Sequence, residues 1–235
     1  MQVMPDIPLT EAFKKDLRRA EDAIVSNAYV VLFSGRSVSI YDHSLTLLKK
    51  LGGFSYVYHG VISPDEKTLL CVANDPVFYL VSLTDFSVIR HRVSKPYAGN
   101  LEGRGCFSHD SKGVYLPIQH DQSLLSTVRY YPLGDLFAFS DFLELQYWIV
   151  HVQHAQRAYK PYLAVGLDRN SHQWNLIWWS AWDGADVEVY AVKCSEDVIL
   201  DVQVRSDGAV CLQGAFCAFA FDAYGEVVKN ESTEA

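Results

Sequence analysis

The chain of 235 residues carries a formal net charge of −8, and 49% of its residues are hydrophobic. This apolar content supports a sizeable core, and the acidic balance argues against a general nucleic-acid binder because phosphate contacts need a basic surface. No signal-peptide pattern or membrane-spanning apolar run is present. The five scattered cysteines form no CxxC pair, so we expect reduced thiols in a cytoplasmic protein.

The first predicted element is a helix over 10–22. Thr10 can cap it, and Phe13 and Leu17 recur at helical spacing. The opposite face of the helix carries four cationic residues, Lys14, Lys15, Arg18 and Arg19. Two interpretations suit this face: a solvated surface, or a docking element for an acidic partner. The predicted domains are therefore an N-terminal extension with the helix, 1–22, and a β-domain, 23–235.

Short apolar segments separated by turn residues predict antiparallel strands along the rest of the chain. They form three groups: 29–33, 37–41 and 45–51; 68–72, 77–83 and 88–93; and 209–212, 215–221 and 226–229.

One turn pattern recurs, with a serine and an aspartate between two apolar strands, at Ser63, Ser108 and Ser206. Ser63 and Ser108 are 45 residues apart, and Ser206 follows at about twice that distance. A period of about 40–45 residues is typical of a four-stranded propeller blade. The predicted fold class is therefore all-β: a single β-propeller of about five four-stranded blades, 23–52, 53–95, 96–145, 146–196 and 197–230, with a short N-terminal helix.

The segment Ser63-Pro64-Asp65-Glu66-Lys67-Thr68-Leu69-Leu70, followed by Phe78-Tyr79-Leu80-Val81-Ser82-Leu83, resembles the repeat of WD40-like and YVTN-type β-propellers. Tyr41-Asp42 and Thr84-Asp85 lie where those repeats often end their third strand. The Gly-His and Trp-Asp dipeptides of the WD40 repeat are largely missing. The resemblance implies a propeller that serves as a non-enzymatic scaffold for protein contacts.

Several catalytic motifs are missing from the sequence: GxSxG, GxxxxGK and HExxH. Gly103-Arg104-Gly105 begins like a dinucleotide fingerprint but lacks the third glycine, and we interpret it as a flexible lead into a strand at Cys106. His151 and His154 lie three apart, which on a strand places them on opposite faces. The sequence therefore predicts no metal site and no cofactor.

A five-bladed glycoside hydrolase would need two carboxylates across a sugar. Six residues could supply such a pair, and turn formation explains most of them: Asp42, Asp75, Glu102, Asp121, Asp168 and Asp183.

Four tryptophans lie within 173–184, namely Trp174, Trp178, Trp179 and Trp182. Strand alternation places Trp179 opposite the other three. Packing between blades is one use of such residues, and an exposed contact hot spot or a sugar-stacking platform is another.

These observations favour a non-catalytic cytoplasmic β-propeller that acts as a protein–protein interaction module, of the adaptor or the immunity (inhibitor) type. The acidic charge favours a basic protein partner, and we expect no binding of nucleic acid or membrane. The predicted contact residues are Trp178, Trp182, Asp121 and Arg104. The alternatives are a propeller that binds a glycan or another small ligand, and a five-bladed glycoside hydrolase.

Overall fold

The computed structural model describes residues 9–93, 103–120, 125–154, 160–180, 187–192, 199–205, 209–214, 217–222 and 227–232. These residues fall into two compact units, 9–93 and 103–232. They contain one short α-helix and eighteen β-strands, which confirms the predicted all-β class. None of the described helical structure has the length and apolar character that crossing a membrane requires.

The helix is shorter than predicted. It spans Glu11–Leu17 (α1), and Thr10 caps it as expected, because the Thr10 side chain accepts a hydrogen bond from Phe13 N at 3.2 Å. The first strand begins only five residues after the helix ends. Glu21 N already donates to a strand carbonyl, that of Phe33, at 2.8 Å, so the chain leaves the helical path before residue 22.

The first unit contains a single six-stranded antiparallel sheet in the order β1-β2-β3-β4-β5-β6. Its strands are β1 (Asp22–Val25), β2 (Tyr29–Asp42), β3 (Leu47–Ile62), β4 (Thr68–Ala73), β5 (Val77–Ser82) and β6 (Val88–Arg92). The last three match the predicted strands within a residue or two. An apolar cluster of buried side chains from β2 to β5 stabilises the sheet.

The predicted boundary between the blades 23–52 and 53–95 falls inside β3. The start of β3 pairs with β2, while Val57 pairs with Gly35 of β2 and with Ala73 of β4. The register jumps between the Gly35–Val57 and Ser37–Gly52 pairs. Gly53, with φ of +86°, lies in this irregular stretch, where a left-handed backbone favours glycine. The chain therefore passes through this irregular stretch without leaving the sheet, and two predicted blades form one sheet.

The second unit contains three four-stranded antiparallel sheets. They consist of β7 (Cys106–Phe107), β8 (Gly113–Gln119), β9 (Ser126–Pro132) and β10 (Ser140–Leu145); β11 (Trp148–His154), β12 (Tyr162–Asp168), β13 (Gln173–Trp179) and β14 (Glu188–Val192); and β15 (Ile199–Val204), β16 (Val210–Gly214), β17 (Cys217–Phe221) and β18 (Val227–Ser232). Each is a meander typical of a propeller blade, and each matches one predicted unit. The described residues thus form four blade-type sheets, and the prediction of about five was too high by one.

The repeated serine turns share one hydrogen-bond scheme. The hydroxyls of Ser63 and Ser108 donate to the aspartate two residues later, at 2.6 and 2.7 Å. The same hydroxyls accept the backbone N–H five residues later, at 2.9 and 3.0 Å. Glu66 and Ser111, each three residues after the serine, have φ of 56° and 58°. These two turns confirm the repeat, and Ser206 lies outside the described residues.

Candidate functional site

The four predicted contact residues have different outcomes. Trp182 and Asp121 lie outside the described residues. Trp178 is only 1% exposed. It lies in an apolar cluster shared by the sheets β11–β14 and β15–β18, and it contacts Tyr190 edge-on with ring centroids 6.4 Å apart. Because Trp178 is buried, packing between the two sheets accounts for this side chain. Its role in contacting a partner stays a prediction.

The other tryptophans of β13 follow the predicted alternation. Trp174 lies in the same cluster as Trp178. Trp179 lies on the opposite face, where it stacks on Tyr162 with ring centroids 5.6 Å apart and joins the cluster between the sheets β7–β10 and β11–β14. The default interpretation of these aromatics, packing between blades, accounts for the described three.

Arg104 connects two sheets through its backbone. Its N–H donates to Val150 O at 2.9 Å, and its carbonyl accepts from Val152 N at 2.7 Å. The glycines on either side are buried, and a Cβ on Gly105 would lie 2.5 Å from the Tyr115 carbonyl oxygen. The segment is therefore closely packed. It leads into a strand at Cys106 as predicted, but its interpretation as flexible was wrong.

We expect Gly105→Ala to lower the free energy of unfolding by about 2 kcal/mol, because the added methyl group meets a backbone carbonyl and Leu116 in a packed sheet. Urea denaturation of the purified protein measures this loss. Gly134→Ala is the matched control, since a Cβ at Gly134 has open space, and it should change stability by less than about 0.5 kcal/mol. Equal losses of stability in the two variants would contradict close packing around Gly105.

The histidines contact different neighbours. His151 Nε2 lies 3.0 Å from Gln153 Oε1, whereas the His154 ring stacks on His109 with centroids 5.2 Å apart. Burial, together with the neighbouring His109, lowers the pKa of His154 below its usual value. Across the ranges that the structure describes, no three His, Cys, Asp or Glu side chains are arranged to hold a metal ion.

Two of the candidate glycosidase carboxylates form turns. Asp42 Oδ1 accepts from Ser44 Oγ at 2.7 Å and from Thr46 N at 2.9 Å, and these bonds hold its pKa below the usual range. Asp168 Oδ1 accepts from Asn170 N at 2.8 Å with the same effect on its pKa. Glu102, Asp121 and Asp183 lie outside the described residues. Turn formation therefore explains both of these carboxylates.

A buried carboxylate in the first unit was missed by the sequence analysis. Asp16 of α1 is 8% exposed. Its Oδ2 accepts from Ser39 Oγ at 2.9 Å and from Tyr41 Oη at 2.7 Å, and its Oδ1 lies 2.7 Å from Lys50 Nζ. Burial alone would raise the pKa of Asp16, but the bonds from Lys50, Tyr41 and Ser39 outweigh it and hold the pKa below its usual value. This anchor fixes α1 to β2 and β3.

Exposed apolar and basic side chains flank the anchor on both elements. Leu47 and Leu48 of β3 are 43% and 41% exposed, and Leu17 of α1 is 44% exposed. Lys49 and Arg18, beside them in the chain, are exposed too. We call these five residues the α1–β3 surface.

The run Leu47-Leu48-Lys49-Lys50-Leu51 carried a signal that the strand prediction did not use. A strand with one buried face alternates apolar and polar residues, but here two leucines precede two lysines. The register with β2 is irregular at this point, since Ile40 pairs with Lys49 and Tyr41 with Leu47, and all residues from Leu47 to Lys50 are exposed.

No protein-family model matches the chain, and no curated protein matches it. The solved structures that are similar to it include those of two proteins. Hydrazine synthase of Kuenenia stuttgartiensis superposes with a TM-score of 0.69 at 16% identity, covering 97% of this chain and 67% of that one. A functionally unknown protein from Desulfotomaculum acetoxidans gives a TM-score of 0.62 at 14% identity, covering 90% and 69%. At these identities the likeness shows the fold, the β-propeller, and nothing of the activity.

Proposed function

We propose that this protein is a non-catalytic interaction module that binds a protein partner through the α1–β3 surface. The observation that carries the proposal is the position of exposed leucines beside a buried, fully bonded carboxylate. Asp16 holds α1 against β2 and β3, so Leu17, Leu47 and Leu48 are presented on a fixed framework. A preorganised apolar surface loses less conformational entropy on binding than a mobile one.

The partner's docking segment is acidic. The net charge of −8 favours a basic partner for the chain as a whole, but salt screens charges beyond about 8 Å at physiological ionic strength. The charges next to the contact therefore decide, and on this surface they are Lys49 and Arg18, with Lys15 and Arg19 also exposed on α1. This agrees with the interpretation of the helix as a docking element for an acidic partner.

The proposal includes a cytoplasmic location and a repeat of the WD40-like or YVTN type. Cys71, Cys106 and Cys211 are free thiols, which suits a reducing compartment. The shared hydrogen-bond scheme of the Ser63 and Ser108 turns supports the repeat type.

Affinity capture from cells that produce the protein, followed by reconstitution with the purified partner, tests the function. We expect one partner that binds at a fixed stoichiometry, and we expect Leu48→Asp to weaken it at least tenfold, because a carboxylate there removes apolar contact and repels an acidic segment.

Val189→Asp is the matched control, because Val189 lies on a strand of the second unit and its exposure, 43%, is close to the 41% of Leu48. Its partner affinity should equal that of the wild type. Absence of a stoichiometric partner, or equal losses in both variants, would overturn the proposal.

A further inference from the structure

One edge of the strand Leu47–Leu51 is paired and the other is open. β2 pairs with it from Val38 to Tyr41, with an irregularity in the register between the Ile40–Lys49 and Tyr41–Leu47 pairs. Val57, further along β3, pairs with Gly35 of β2 and with Ala73 of β4, so β2 and β4 lie on opposite edges of β3. β4 pairs only from Val57 onward. Among the described residues, no strand pairs with the open edge beside Leu47–Leu51.

An open edge displays backbone N–H and C=O groups that can pair with another extended segment. Leu47, Leu48 and Lys49, which lie along this edge, are all exposed. Peptides often bind proteins by adding a strand to such an edge: backbone hydrogen bonds supply affinity, and the alternating side chains supply specificity.

The charges on this edge select the occupant. A second copy paired to the same edge would bring lysines close to lysines, and like charges opposite each other destabilise a strand pair. A strand with Asp or Glu near Lys49 gains the opposite interaction. Lys50 is already bonded to Asp16, so Lys49 is the residue that we expect to read the acidic side chain.

We propose that the partner of the α1–β3 surface is an extended acidic segment with interspersed apolar residues, which binds as an added β-strand along Leu47–Leu51. This inference rests on the proposed function, since it concerns the same surface, and it specifies the chemistry and the conformation of the partner. Acidic side chains pair with Lys49, and apolar side chains cover Leu47 and Leu48.

The probe is a displayed library of random 12-residue peptides, selected on the purified full-length chain. We expect the enriched peptides to combine Asp or Glu with Val, Ile or Leu, and we expect Lys49→Glu to weaken them at least tenfold. In an added strand every second backbone N–H points to the edge. N-methylation should therefore abolish binding at the alternate peptide residues whose N–H groups point to the edge. At the residues between them it should leave binding nearly unchanged.

The outcomes separate the two proposals. Peptides that tolerate N-methylation at every position but still lose binding to Leu48→Asp would overturn strand addition and leave the surface as a docking site. Peptides that bind Leu48→Asp as well as the wild type would overturn both. Enrichment of basic peptides, no enrichment at all, or a wild-type dimer dispersed by Lys49→Glu would overturn the acidic occupant.

Discussion

Trp178→Ala is expected to lower the free energy of unfolding by about 4 kcal/mol, the usual cost of removing a buried tryptophan side chain. Trp178 is among the largest fully buried side chains described, and its cluster includes residues of β12, β13, β16 and β17. The substitution leaves a cavity between two sheets that the surrounding strands can fill only in part. Urea denaturation followed by circular dichroism measures the loss.

Val189→Ala provides the comparison for Trp178→Ala, because Val189 lies on β14 of the same sheet but is 43% exposed. Its stability should remain within about 0.5 kcal/mol of the wild type. These two variants also test the prediction that Trp178 contacts a partner. A Trp178→Ala variant that keeps wild-type stability but loses the partner would show that the side chain works in binding and would contradict the packing argument.

The repeated turns could be predicted from the sequence because their bonds are local. Each of the Ser63 and Ser108 hydroxyls bonds to groups two and five residues away, so the residue pattern alone determines the turn. The strands that follow each turn were predictable for the same reason. Three of the four sheets coincide with predicted units, because the spacing of the turns placed those units.

Long-range pairing could not be predicted in the same way. The sequence around Gly52-Gly53 resembles a boundary between strands, and only the pairing of Val57 with Gly35 and Ala73 shows that β3 continues through it. The close packing of Gly105 depends on the Tyr115 carbonyl, which no local pattern reveals. The helix periodicity placed Phe13 toward the core correctly, but it placed Leu17 there too, which is 44% exposed. It also gave no reason to bury the charge of Asp16.

The Asp16 anchor joins residues 23 and 34 positions apart, so it too was invisible in the sequence. We expect Asp16→Ala to lower the free energy of unfolding by about 3 kcal/mol, because it leaves the Tyr41 and Ser39 hydroxyls without their acceptor. The lost ion pair with the half-exposed Lys50 adds little to this cost. Glu11→Ala is the matched control on the same helix. Glu11 pairs with Lys14 at 2.9 Å but is largely exposed, so its loss should cost less than about 0.5 kcal/mol.

The pH dependence gives a second test of the anchor. The pKa of Asp16 is lower in the folded chain than its usual value, so folding favours the ionised form. The stabilisation is fully present above the unfolded pKa of about 3.9 and is lost as the pH falls through the folded value. The stability difference between the wild type and Asp16→Asn should therefore be constant from about pH 5 to 8 and shrink below about pH 4. A difference that stays constant down to about pH 2 would show that the carboxylate charge does not stabilise the anchor.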